Sequence, residues 1–96
     1  MIKYLTKDDD FQKIVKDKTL VDFYADWCGP CQMMGKVLED YNGDVNILKV
    51  NTDEYSDLAM SFGVMSIPTL ILIENGSELK KHVGLLSKDE LDEFLK

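Results

Sequence analysis

Apolar positions along the chain fall into short unbroken runs separated by stretches of helical spacing. Leu20 to Ala25 is apolar except for Asp22, and Val45 to Val50 and Thr69 to Ile73 form two further runs. Runs this short and continuous predict strands buried on both faces rather than alternating, half-exposed ones. Ile2 to Leu5 predicts a short leading strand. Phe11, Ile14 and Val15 predict a helix over about Asp9 to Lys16, capped by Thr6 or Asp8. Met34, Val37, Leu38 and Tyr41 extend a helix to about Tyr41, where Asn42-Gly43 supplies a C-cap and turn. Leu58, Ala59 and Phe62 predict a short helix ending at Gly63. Glu74-Asn75-Gly76-Ser77 is a hairpin signal, so the strand over about Glu78 to Val83 runs antiparallel to the one before it. Ser87 and Glu90 make a capping box ahead of a last helix carrying Leu91, Phe94 and Leu95.

Strand and helix alternate at first, and the chain closes with a hairpin and a helix. That order implies an α/β fold: a mixed sheet covered by helices on both faces. With 96 residues there is room for one core, so residues 1–96 are expected to form a single domain.

Charge narrows the partners. Eleven lysines face 18 acids, the net charge is −7, and arginine is absent. This composition argues against a nucleic-acid surface, which is built largely from Lys and Arg, and against approach to anionic membranes. After Met1-Ile2-Lys3 the chain reaches Lys7-Asp8-Asp9-Asp10 without the apolar segment of a signal peptide. The longest nearly apolar run, about Ile67 to Ile73, is too short to span a bilayer. The expected location is cytoplasmic, among reduced thiols. Disulfides there tend to be transient and catalytic. A bond between Cys28 and Cys31 would also close too small a loop to remove much unfolded-state entropy.

These two cysteines stand three apart, after a predicted strand and at the predicted start of a helix. The first sulfur then faces unpaired helix N–H groups and the positive end of the dipole, which favour an anion. A thiol there has a lowered pKa, and its thiolate is the nucleophile of disulfide exchange. Cys31, one turn further on, is within reach of a mixed disulfide formed on Cys28. Pro30 fits the first turn, where a missing N–H costs nothing, and Gly29 leaves the backbone open to a partner. A zinc half-site is the alternative. Zinc takes four ligands and the chain offers two cysteines and His82, so such a site would have to be shared between chains. Two inert core cysteines are the other alternative. Asp22 has two readings: a solvent-facing strand position, or a buried carboxylate of raised pKa that takes a proton from Cys31. Pro68 is expected to follow a trans bond, since cis X–Pro bonds are a small minority.

The segment Val21-Asp22-Phe23-Tyr24-Ala25-Asp26-Trp27-Cys28-Gly29-Pro30-Cys31 resembles the active-site segment of the thioredoxin family. Ile67-Pro68-Thr69, Asn75-Gly76 and Val83-Gly84 match the same family in order and approximate spacing, so the resemblance runs from Ile2 to the last helix. It implies a thioredoxin fold, with a central mixed sheet of four or five strands flanked by helices. It implies a protein-disulfide reductase in which Cys28 attacks, Cys31 resolves, and the resulting Cys28–Cys31 disulfide is re-reduced by a reductase. Asp22 matches the family's buried catalytic acid, and Lys49 on the next apolar strand is its implied partner. The resemblance reverses the expectation for Pro68, which is cis in the family and sits against the cysteines. The backbone at residue 67 is then free to pair with an extended client segment. Trp27, Gly29, Pro30, Ser66, Ile67, Val83 and Gly84 are the implied rim of that docking surface. No bound cofactor or metal is implied. Reducing equivalents would come from NADPH through a separate thioredoxin reductase-like flavoprotein; this chain has no Gly-rich nucleotide motif. The other implied partners are disulfide-containing client proteins, and the implied state is a monomer.

Tyr24 stands where many members have Trp, Gln32 where Lys or Arg is common, and Lys36 where many have a helix-kinking proline. These departures bear on potential and partner preference, not on the reaction. His82 is expected as an exposed strand residue without a catalytic role. Most of the five methionines are expected in the core, with Met65 placed to touch substrate, and the Asp8-Asp9-Asp10 run as solvated helix N-terminal charge. Three functions fit: a general disulfide reductant, a dedicated partner of one peroxidase or sulfoxide reductase, or a non-enzymatic binding module. Gly-Pro between the cysteines favours the reducing direction, because a histidine there would stabilise the thiolate and make the disulfide more oxidising.

Overall fold

Strands that are apolar on both faces need cover on both sides, and the chain supplies it. In the computed structural model, which describes residues 1–96, five strands form one sheet. They are β1 (Ile2–Tyr4), β2 (Thr19–Tyr24), β3 (Asn46–Asn51), β4 (Thr69–Glu74) and β5 (Ser77–Val83), in the order β1-β3-β2-β4-β5. β3 runs parallel to both β1 and β2, while β4 is antiparallel to β2 and β5 is antiparallel to β4. The helices are α1 (Phe11–Ile14), α2 (Gly29–Glu39), α3 (Ser56–Ser61) and α4 (Lys88–Phe94). The sheet is therefore mixed, as the α/β reading expects, and has five strands, within the four or five that the resemblance implies.

Alternation along the strands divides the core into two layers. Leu20, Ile47, Leu70 and Leu72 pack against Met34 and Leu38 of α2 and Leu91 of α4. Val21, Phe23, Leu48, Val50, Ile71 and Ile73 pack on the other side with Val15, after α1, and Ala59 of α3. Asp22 and Lys49 stand two residues beyond Leu20 and Ile47. They therefore share the face that α2 covers, and this one register fact places the only carboxylate of β2 behind the cysteine helix.

The structure corrects several local expectations. α1 is one turn long and is capped by Asp10, whose Oδ1 accepts from the Gln12 and Lys13 N–H groups at 3.1 and 3.4 Å. Neither Thr6 nor Asp8 caps it. Asp9 is occupied instead in accepting the Thr6 N–H and hydroxyl, at 2.8 and 3.0 Å, and in an ion pair with Lys3. α2 stops at Glu39 with Asp40 as its C-cap, and Gly43 does not adopt positive φ. The Tyr41 ring covers Gly43 so closely that no β-carbon would fit, and the Tyr41 hydroxyl accepts the Val45 N–H at 3.2 Å. Gly43 thus serves a close approach rather than a helix cap. His82 is half-buried, edge-on to Phe94, rather than exposed. Of the methionines only Met34 is in the core; Met1, Met33, Met60 and Met65 are all more than half exposed.

The closing elements follow the sequence. Asn75 and Gly76 take positive φ of 54° and 75° in a two-residue hairpin turn that joins β4 to β5. Ser87 and Glu90 form the reciprocal capping box at the start of α4. α2 runs unbroken past Lys36.

Candidate active site

β2 and β3 end side by side, with Tyr24 opposite Asn51, and the chain leaves β2 directly into α2. Loops at the carboxyl ends of parallel strands are where α/β sheets gather reactive groups. Cys28 is the N-cap of α2, with Pro30 in its first turn. The Cys31 N–H donates to Cys28 Sγ at 3.2 Å, so a free backbone donor of the first turn already points at that sulfur. The two cysteines are joined as a disulfide with their Cα atoms 5.2 Å apart. Both are almost fully buried, at 5% and 2% exposure. Gln32, in the position where the family commonly has Lys or Arg, donates its amide to the Asp26 carbonyl at 3.1 Å. Support for a thiolate here comes from helix N–H groups and the dipole.

The loop before β4 closes the site from the other side. The Ile67–Pro68 bond is cis, as the resemblance implies and against the expectation from sequence frequency. The Ile67 carbonyl oxygen lies 3.9 Å from Cys28 Sγ, and neither the N–H nor the carbonyl of Ile67 is paired with another backbone group. Gly84, just past β5, donates its N–H to the Pro68 carbonyl at 2.8 Å with φ of 102°, a conformation open to glycine and strained for other residues. Val83 beside it is exposed and paired in register with Thr69. Ser66, Ile67, Val83 and Gly84 therefore gather at the cysteine end of the sheet. Gly29 and Pro30 are exposed there, and a β-carbon at Gly29 would meet nothing within 4 Å.

Trp27 is 72% exposed but held, because its Nε1–H donates to Asp53 Oδ2 at 3.0 Å. It forms one wall of an apolar groove of about 490 Å³ whose other walls include Met60, Val64, Met65, Ser66 and Ile67. Asp53, Met60 and Val64 escaped the reading of the sequence. A signal for Asp53 was present, since it follows the carboxyl end of a predicted buried strand. Nothing local marks Met60 or Val64, which only the fold brings opposite Trp27.

Asp22 is fully buried, so its strand position faces inward and not toward solvent. Neither carboxylate oxygen accepts a hydrogen bond. Lys49, opposite it in register, brings its ammonium to 3.6 Å from Oδ2. Burial disfavours the charged acid more than Lys49 favours it, and the Asp22 pKa rises from 3.8 to about 6. A second cavity, of about 210 Å³, has Cys31, Gln32, Lys49, Tyr4 and Tyr24 in its wall, so Cys31 and the partner of Asp22 meet across one small space. No group of three or more His, Cys, Asp or Glu side chains is arranged to hold a metal ion, and no helix is long and apolar enough to cross a membrane.

Comparison with known proteins agrees with this geometry. The Thioredoxin family model matches residues 2–96. The thioredoxin of Staphylococcus saprophyticus is 48% identical over 92 residues, covering 92% of this chain and 86% of that protein. The mitochondrial thioredoxin of Bos taurus is 40% identical over 94 residues, covering 91% of this chain and 57% of that protein. Among solved structures, a point mutant of the Halobacterium salinarum thioredoxin superposes with a TM-score of 0.90 at 36% identity. That match covers 98% of this chain and 87% of the other.

Proposed function

The chain belongs to the thioredoxin family, and from that premise we propose the role each residue plays in its reaction. The activity itself is that of a dithiol–disulfide oxidoreductase of the protein-disulfide reductase type. In the reduced chain the Cys28 thiolate attacks one sulfur of a client disulfide. A bond forms between Cys28 Sγ and that sulfur, the client S–S bond breaks, and the other client sulfur departs as thiolate. Cys31 then gives its thiol proton to the Asp22 carboxylate, and the new thiolate attacks Cys28 Sγ. The Cys28–Cys31 bond forms and the second client thiolate leaves. The client has gained two electrons and this chain has lost them.

Asp22 suits the proton step because a carboxylate of pKa about 6 is a stronger base than an ordinary one, while still ionised at neutral pH. Lys49 keeps it from rising further. Trp27, Gly29, Pro30, Ser66, Val83 and Gly84 rim the client surface, and the unpaired backbone of Ile67, beside Pro68, adds a strand-like pairing edge for an extended client segment. The chain acts as one domain over residues 1–96, as a monomer in the cytoplasm, on many disulfide-containing clients. A separate flavoprotein reductase returns the electrons from NADPH, and this chain binds no cofactor of its own.

The observation that carries these assignments is the Cys28–Cys31 disulfide at the start of α2, with the first sulfur facing the Ile67 carbonyl. Single-cysteine variants test it. Cys31→Ser, incubated with a disulfide-bonded client, is expected to accumulate a covalent mixed disulfide on Cys28, whereas Cys28→Ser accumulates none. Trapping by Cys28→Ser instead would reverse the two roles.

A further inference from the structure

Three strands place three side chains in one line. Tyr4 of β1 is the register partner of Lys49 in β3, and Lys49 is in turn the partner of Asp22 in β2. Register partners project on the same face, and Tyr24, two residues beyond Asp22, projects there too. The result is a box around one ammonium. Lys49 Nζ lies 4.6 Å from the centre of the Tyr24 ring and 5.5 Å from that of Tyr4. The two rings meet edge to face, 6.2 Å apart and 82° inclined, so they form a corner rather than a stack. Gly35 of α2 forms the remaining wall: a β-carbon there would come within 3.3 Å of Nζ.

A mostly buried ammonium needs partners. The Lys49 side chain is 10% exposed, and its one ion pair is with Asp22 Oδ2 at 3.6 Å. The rest of its first surroundings is the two π faces, which attract a cation through their quadrupoles. Long lysine side chains otherwise extend toward water, so without the rings this one has every reason to swing outward and leave the carboxylate.

We propose that Tyr4 and Tyr24 are positioning residues whose ring faces hold the Lys49 ammonium against Asp22, and through it govern the transfer of the Cys31 proton that frees the client. This rests on the reading of Asp22 as the base for Cys31. The proton bookkeeping is unchanged: the Cys31 thiol loses its proton, Asp22 gains it, and the thiolate attacks Cys28. The rings act only by fixing the cation that faces the acceptor. Asp26, Cys31 and Gln32 share the small cavity with Lys49, and Asp26 and Glu54, in the loops after β2 and β3, act on the Tyr24 ring. None of these groups, nor either tyrosine, is a cation, so Lys49 carries the one positive charge among them.

Tyr4 is the clean probe, because it is 56% exposed on an edge strand and its loss does not open the core. Tyr4→Leu keeps an apolar side chain beside Lys49 but removes the π face; Tyr4→Phe keeps the face. The titration of Asp22 is followed by carboxyl carbon NMR in the oxidised protein. The rate of client-thiol release from a preformed Cys28 mixed disulfide is followed over the same pH range, with thermal melting as the control for folding. For Tyr4→Leu both midpoints are expected to move to higher pH by about half a unit, roughly a threefold change in proton affinity. Tyr4→Phe is expected to match the parent in both. An unmoved Asp22 midpoint in Tyr4→Leu overturns the proposal, and so does an equal shift in Tyr4→Phe, which would assign the effect to the hydroxyl. Asp22→Asn separates this from the underlying reading. If that variant leaves the release profile unchanged, Asp22 is not the base; if it slows release while Tyr4→Leu does nothing, only the aromatic clamp fails.

Discussion

Replacing Asp22 by Asn should make the protein more stable, and the gain should depend on pH in a defined way. Asp22 is fully buried, and its pKa rises from 3.8 to about 6 in the folded chain because burial outweighs the attraction of Lys49. The folded state therefore holds a proton that the unfolded state gives up between pH 3.8 and about 6. Where the folded state binds more protons, stability falls as pH rises, and above the folded pKa the loss is complete. At 1.36 kcal/mol per unit, ionising this acid costs the fold about 3 kcal/mol at neutral pH. Asn has the shape of the neutral acid and never ionises. Its own buried amide and its contact with Lys49 contribute an offset. The other titrating groups are common to both chains, so the slope of the difference with pH isolates the buried charge.

The assay is urea denaturation of the oxidised parent and Asp22→Asn chains, followed by circular dichroism, at several values between pH 3.5 and 7.5. The stability of the variant relative to the parent is expected to grow by about 2–3 kcal/mol across that range and then level off above about pH 7. For a chain of this length, where each kcal/mol is worth about 4–8 °C, the melting temperature should gain on the order of 10–20 °C between the two ends. A difference that stays flat with pH, or shrinks as pH rises, would refute the assignment of a raised pKa to this carboxylate. On the proposed role of Asp22, the same substitution should slow client-thiol release at neutral pH, because Cys31 would lose its proton acceptor.

The remaining expectations concern the core and the groove. Leu72 is 1% exposed in the antiparallel centre of the sheet, and Leu72→Ala should cost about 2–5 kcal/mol in chemical denaturation. A loss below about 1 kcal/mol would mean the site collapses around the cavity. Asp53→Ala releases the Trp27 indole; it should cost the fold less than about 1 kcal/mol, since the hydrogen bond is exposed, while raising the KM for a protein client more than it changes kcat. Trp27 emission should shift in the same variant, and an unchanged KM would remove Trp27 from the proposed client surface.

How much of this was legible from the sequence follows from the range of the interactions involved. Leu70-Ile71-Leu72-Ile73 declares a two-sided strand because both neighbours are already implied by its composition, and Asn75-Gly76 declares its turn through backbone preference alone. Asp8, Asp9 and Asp10 look alike in the sequence; which one caps α1 is decided by Lys3 and Thr6, which occupy Asp9. Gly43 looked like a helix cap because glycine at a helix end usually is one, whereas its real constraint is a ring two residues away in the chain. The site divides the same way. Cys28, Pro30 and Cys31 are local and carry their chemistry in their spacing. Asp22 was visible as an anomaly, but its burial depends on α2 lying over the right face of β2. Tyr4 gave no sign at all, since its partner Lys49 is reached only through the pairing of β1 with β3. Met60 and Met65 have apolar side chains, yet they stand exposed beside Trp27 because the fold leaves that groove open.

On the proposed role of Asp22 as the base for Cys31, burial of the acid is both its cost and its use, and the two have one magnitude. A carboxylate at the surface has a pKa near 3.9, too weak a base to draw a proton from a thiol near 8.5. Raising it to about 6 makes that transfer less unfavourable by roughly two powers of ten. The free energy that strengthens the base is the same free energy withheld from the fold, because both are the difference between the charged and neutral forms of one group in one place. No substitution at Asp22 can therefore keep the base and recover the stability. Lys49 moves the balance along this single axis. Bound more tightly it would return stability and weaken the base; released, it would give a stronger base that is protonated, and so unable to accept, over more of the pH range. A cation held at 3.6 Å, in ion-pair range but without a hydrogen bond, between two ring faces keeps the acid near the middle of that range, ionised at neutral pH and still basic enough to serve Cys31.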